Sequence, residues 1–163
     1  MNNINYSLSL QMGTLLQSRG LKIAVAESCT GGALATEITA VPGCSSYFDR
    51  GFVTYSNEAK NQLLDVSHEL LMTYGAVSEQ VVRAMAEGTL IHSMADLTLS
   101  ITGIAGPQGG SAEKPVGLVW FGLAVRNGEC MAREAYFGGG RKHVRRLSVG
   151  LALQWVIDVV LAL

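Results

Sequence analysis

Ala24-Val25-Ala26-Glu27-Ser28-Cys29-Thr30-Gly31-Gly32-Ala33-Leu34-Ala35 is the stretch on which the fold turns. The residues leading into it, Leu21 to Ala26, are apolar and include β-branched Ile23 and Val25, whereas those leaving it are alanine-rich. A buried strand, a tight loop and a helix start follow from that order. Glycine allows close backbone approach and positive φ, and the free N–H groups of a following helix favour an anion or a developing oxyanion. Ser28 stands where such donors would point. Ser28 and Thr30 read equally as caps of the helix, a common role for both residue types.

On the N-terminal side, Leu8, Met12, Leu15 and Leu16 have helical spacing from about Ser7 to Arg19, and Gly20 stands at a C-terminal cap. On the other side, the helix through Leu34 and Ile38 should end near Val41, because Pro42 cannot continue it. Gly51 to Ser56 reads as a second strand. Asn57 is then the expected cap of a brief helix that puts Lys60 in its first turn, beside the strand end bearing Tyr55. Val81, Val82, Met85 and Leu90 predict a helix from Ser78 to about Ser93, with Ser78 as cap.

The period then changes to two. Leu97, Leu99 and Ile101 alternate with Thr98, Ser100 and Thr102, a strand running into the Gly- and Pro-rich loop Gly103 to Gly110. A loop of that length reads as ligand-binding. Val116 to Val125 is apolar enough for a central strand, and Asn127-Gly128 signals a hairpin into an antiparallel strand through Met131 to Phe137. After Gly138-Gly139-Gly140, Val144, Leu147, Leu151 and Trp155 mark a long final helix. The alternation predicts an α/β fold, a three-layer α/β/α sandwich with a mixed, mostly parallel sheet, as one domain over residues 1–163. Ligands in such sheets lie outside the carboxyl ends of the strands. The loops after Glu27, Tyr55 and Thr102 would converge there if their strands are parallel.

Of the 163 residues, 48% are hydrophobic and 15% charged, which excludes disorder, and a net charge of −1 argues against broad nucleic-acid binding. A small polar ligand is the better expectation. Three cysteines without CxxC spacing, and a Met1 end without signal-peptide character, point to a reducing cytoplasm. Gln154 and Asp158 interrupt the apolar run Leu147 to Leu163, already shorter than the ~20 residues of a membrane span, so it reads as a core helix. Apolar residues exposed on that helix would be compatible with a homo-oligomer.

A serine hydroxyl becomes a nucleophile only when a base takes its proton. His68 and His92 lie far in sequence from any Gly-rich loop, and His143 has no nearby acid, so a Ser/His/Asp triad has little support. Lys60 can serve if desolvation lowers its pKa, although an ordinary solvated lysine is the commoner case. Cys29 is a rival nucleophile without a histidine to pair with it, and small buried cysteines often only pack. No metal is expected, because the Cys and His residues show no ligand spacing. Gly103 to Gly110 lacks the Gly-Lys-Ser/Thr of a phosphate-binding Walker loop. Arg141, Lys142, Arg145 and Arg146 crowd cations into the first turns of the last helix, where the macrodipole disfavours them, and an anion between them would reverse that cost. A solvated basic surface is the alternative.

Together, Ala26-Glu27-Ser28-Cys29-Thr30-Gly31-Gly32, Gly51 to Lys60, Gly75-Ala76-Val77-Ser78-Glu79, Thr102 to Pro107 and Lys114 to Trp120 resemble the CinA C-terminal domain family, with the likeness running from about Leu8 to the C-terminus. The resemblance implies hydrolysis of the carboxamide of nicotinamide mononucleotide to nicotinic acid mononucleotide and ammonia, without metal or cofactor. It makes Ser28 the nucleophile, Lys60 the residue that activates it, and Tyr55 and Thr102 polar residues of the same site. Gly103 would contact the substrate, backbone N–H groups of Cys29, Thr30, Gly31 and Gly32 would hold the oxyanion, and Arg141 and Arg145 would take the substrate phosphate. Close family members often carry an acidic residue where this chain has Gly140. A catalytically silent nucleotide-binding or regulatory domain of the same fold is the competing reading.

Overall fold

The computed structural model describes residues 3–163, with the helices α1 (Ile4–Arg19), α2 (Ala33–Thr39), α3 (Asn57–Leu64), α4 (His68–Tyr74), α5 (Glu79–Ile91) and α6 (Arg141–Leu161). The strands are β1 (Ile23–Glu27), β2 (Phe48–Val53), β3 (Leu97–Gly103), β4 (Leu118–Val125) and β5 (Cys130–Tyr136), in the order β2-β1-β3-β4-β5. β1 pairs in parallel with both β2 and β3, and β4 is antiparallel to β3 and β5. Only β4 therefore runs against the rest, giving the mixed sheet expected. Helices α1, α2 and α6 cover one face, α3, α4 and α5 the other.

The first face is a conventional apolar layer. Met12 and Leu16 of α1, Ile38 of α2 and Ala152, Leu153 and Val156 of α6 bury against Ile23, Val25, Leu99 and Phe121. The other face is closer and more polar. The alternating hydroxyls of β3 turn toward α5 and not toward solvent: Thr98 Oγ1 donates to Ala86 O at 2.7 Å and Ser100 Oγ to Val82 O at 2.7 Å. Both are fully buried, so each hydroxyl must find an acceptor. Gly122 admits this approach, since a Cβ there would lie 2.5 Å from Val82 O.

Several boundaries differ from the sequence reading. β2 spans Phe48–Val53 and not Gly51 to Ser56, because an edge strand bonded on one side only tolerates the charged Asp49 and Arg50. Ser56, not Asn57, caps α3, its hydroxyl accepting from Ala59 N at 3.0 Å. α1 starts at Ile4, capped by Asn3. Helix α4 was not expected: it is seven residues long and buries only Leu71, too little for a visible stripe.

Candidate active site

Strand register builds the site. Glu27, the last residue of β1, is level with Val53 of β2 and Ile101 of β3, so Ser28, Thr54 and Thr102 emerge together at the carboxyl ends of three parallel strands. Ser28 N donates to Ile101 O at 3.0 Å and Thr54 N to Glu27 O at 2.9 Å, which carries the register one residue into the loops. This is the rim the sequence placed Ser28, Tyr55, Lys60, Thr102 and Gly103 around. A cavity of about 280 Å³ opens there, lined by Ser28, Cys29, Tyr55, Lys60, Thr102, Gly103 and Arg141 and by segments from Ala76 and Ile104 onward.

The Ser28 loop turns through Gly31 and Gly32 at φ 58° and 101°, values that favour glycine. Neither Ser28 nor Thr30 caps α2. The carboxylate of Glu27 does so, its two oxygens accepting from Leu34 N at 2.9 Å and Ala35 N at 3.0 Å. Glu27 is fully buried and ties the residue before Ser28 to the helix after it. The sequence reading missed it, because a carboxylate at a strand end gives no cap signal when the loop intervenes. Gly31 N closes the turn onto Ser28 O at 3.0 Å, and among the described residues the Cys29 and Thr30 amides donate to no acceptor.

Lys60 reaches the loop from α3. It lies on the same inward face as Leu64, one turn on, and is 1% exposed. Its Nζ lies 3.0 Å from Thr54 O, 3.3 Å from Tyr55 O and 3.2 Å from Ser28 Oγ. Burial holds its pKa below the ordinary lysine range, with a smaller opposing influence from Cys29. Burial also pushes the Cys29 thiol up to about 11, which leaves it a poor nucleophile at neutral pH.

The other residues divide. Thr102 Oγ1 donates to Ala76 O at 3.0 Å, and the residue lines the cavity at the strand end. The exposed Tyr55 ring carries its hydroxyl to Arg141, whose Nη2 donates to it at 3.0 Å while Nη1 donates to Gly106 O at 3.0 Å. Arg145 turns inward: Nε donates to Cys29 O at 3.1 Å and Nη2 to Thr30 O at 3.0 Å, so its fork braces the Ser28 loop. Spacing along α6 could not separate these two roles. No histidine lines the cavity: His92 pairs with Asp65 at 2.5 Å and His143 with Arg146 at 2.9 Å. Among the described residues no three His, Cys, Asp or Glu side chains cluster as a metal site would require.

A serine hydroxyl in contact with a buried, pKa-depressed amine, beside uncommitted backbone amides at strand ends, is a constellation equipped for acyl transfer. The chain belongs to the CinA C-terminal domain family, whose model matches residues 5–160. It is 54% identical over 147 residues to the nicotinamide-nucleotide amidohydrolase PncC of Escherichia coli K12, covering 90% of this chain and 89% of that one. The protein of the same name from Enterobacter agglomerans is 52% identical over 149 residues, 91% of either chain. Among solved structures, the competence/damage inducible protein CihA of Agrobacterium tumefaciens superposes with a TM-score of 0.94 at 44% identity, over 98% of this chain and 96% of that one.

Proposed function

We propose that this protein is a nicotinamide-nucleotide amidohydrolase that hydrolyses the carboxamide of nicotinamide mononucleotide, with Ser28 as nucleophile and Lys60 as its base. The observation that carries the reading is the set of partners around the Lys60 amine. A neutral amine has two N–H bonds and one lone pair. Thr54 O and Tyr55 O take the two N–H groups, which leaves the lone pair for the Ser28 hydroxyl. Desolvation favours that neutral form, and the contact with Ser28 is direct, with Tyr55 orienting the amine through its carbonyl.

In the first step Lys60 takes the Ser28 proton, and Ser28 Oγ bonds to the carboxamide carbon. The Cys29 and Thr30 amides are the donors available to the oxyanion, and Arg145 holds the carbonyls of the same two residues in place. The C–N bond then breaks as Lys60 returns the proton to the leaving ammonia. Water, deprotonated by Lys60, bonds to the acyl carbon; the ester bond to Ser28 Oγ breaks, Lys60 returns the proton to Ser28 Oγ, and nicotinic acid mononucleotide leaves. Thr102 Oγ1, already donating to Ala76 O, is free to accept from the carboxamide NH₂. Arg141, exposed at the mouth, exchanges Gly106 O and the Tyr55 hydroxyl for the substrate phosphate.

This chemistry draws nucleophile and base from the chain itself and calls on no cofactor. A role in recycling pyridine nucleotides in the cytoplasm suits a protein with three free cysteines. The test is to incubate purified protein with nicotinamide mononucleotide and measure ammonia and nicotinic acid mononucleotide. Equimolar formation of both is expected; tight binding without either product would replace the enzyme by a nucleotide-binding domain.

A further inference from the structure

Two walls of the cavity belong to segments joined by one lysine outside it. Ala76 and Val77 come from the turn between α4 and α5, and Ile104 to Gly109 from the loop between β3 and β4. That loop is a braced flap: Gly117 N donates to Ile104 O at 2.7 Å and Ile104 N to Leu118 O at 2.9 Å. Its tip closes on itself, with Ser111 N donating to Lys114 O at 2.8 Å and Lys114 N to Ser111 Oγ at 3.0 Å.

From the tip, Lys114 Nζ crosses to the turn and donates to Tyr74 O at 2.6 Å. Tyr74 ends α4, where terminal carbonyls lack partners within the helix and the macrodipole favours a cation. Gly75 makes room for the ammonium: a Cβ there would lie 3.1 Å from Nζ, and φ is +76°. One residue further, Ala76 O accepts the Thr102 hydroxyl. The turn is thus tied to the catalytic strand end on one side and to the flap tip on the other. Arg141 grips the same flap at Gly106 O, a bond it surrenders in the proposed reaction when it takes the phosphate.

We propose that Lys114 is a positioning residue that fixes the flap against the Gly75–Val77 turn and so sets how tightly the substrate is held, without touching substrate or moving a proton. The inference rests on the deamidation reading for its kinetic consequence but not for its structural one. Half-buried and outside the cavity, Lys114 can be replaced without disturbing Ser28 or Lys60.

The experiment compares wild type, Lys114→Met and Lys114→Arg in steady-state deamidation of nicotinamide mononucleotide, thermal unfolding, and amide hydrogen exchange of substrate-free protein. Loss of a charge-assisted bond at a cavity wall should raise KM about tenfold in Lys114→Met while kcat stays within about twofold. Exchange should quicken in residues 74–78 and 104–117, Tm should fall by no more than about 4 °C, and Lys114→Arg should restore most of the KM. A fall in kcat at unchanged KM, wild-type exchange in both segments, or unfolding of Lys114→Met would overturn the assignment. If wild type itself formed no product, the deamidation reading would fail, and the exchange arm alone would judge whether Lys114 holds the flap.

Discussion

Replacing Lys60 by Met removes the amine and keeps an unbranched chain in its channel, and the consequence for stability depends on pH in a direction that can be worked out. Lys60 is 1% exposed, and burial holds its pKa below that of a free lysine. In the unfolded chain the group titrates near its ordinary value, about 10.4. Between the folded and unfolded pKa values the unfolded state binds a proton that the folded state does not. Wild-type stability therefore rises with pH across that window, with a slope that approaches about 1.4 kcal/mol per pH unit for one proton. Below the window the folded state bears the cost of a buried ammonium. Lys60→Met has no such titration, but it leaves Thr54 O and Tyr55 O without the amine donor, at about 1–3 kcal/mol for the buried Thr54 carbonyl left unpaired. The stability of the variant minus that of wild type should thus fall as pH rises toward 10.5. Urea unfolding followed by circular dichroism at a series of pH values from 6 to 10.5 measures it. Deamidation by the variant should drop by about 10²–10⁴, and wild-type kcat/KM should climb with pH as Lys60 loses its proton. Parallel stability curves for the two proteins, or activity within tenfold of wild type, would refute the assignment of Lys60 as a neutral base.

Glu27→Gln keeps one acceptor for α2 and turns an NH₂ group against the other backbone N–H, so urea titration should show a loss of about 1–3 kcal/mol, with reduced turnover as the Ser28 loop loosens. Gly88→Ala would put a Cβ 2.0 Å from Leu64 O, backbone of the helix that carries Lys60; overpacking of about 1–3 kcal/mol and lower activity are expected together. In native protein at pH 8, iodoacetamide should label Cys44 ahead of Cys29 and Cys130 in peptide mass mapping. The latter thiols are pushed up to about 11 by burial, and Cys29 is only 5% exposed.

Ser28 and Lys60 were legible because each sits at a local event: a strand breaking into Gly-Gly, and a capped helix following a strand. Parallel pairing of β1 with β2 and β3 then brings those events together, and nothing local encodes it. The pattern of β3 was legible as a strand but not in its environment, since alternating Thr and Ser ordinarily mark a solvated face and here bond to α5 carbonyls. Glu27 escaped notice because its partners lie seven and eight residues on, across the loop. Arg141 and Arg145 share a helix face and look alike in sequence. Only the positions of Cys29 O and Thr30 O distinguish the arginine that braces the loop from the one at the mouth. Charged Asp49 and Arg50 hid the start of β2, which only its edge position permits.

The most direct measurement is deamidation of nicotinamide mononucleotide by Ser28→Ala beside wild type, with ammonia and nicotinic acid mononucleotide both quantified and folding checked by circular dichroism. The account predicts a folded variant whose turnover falls by about 10³ or more, since no other group in the cavity is an activated nucleophile. A folded Ser28→Ala protein that releases both products within tenfold of the wild-type rate would contradict it.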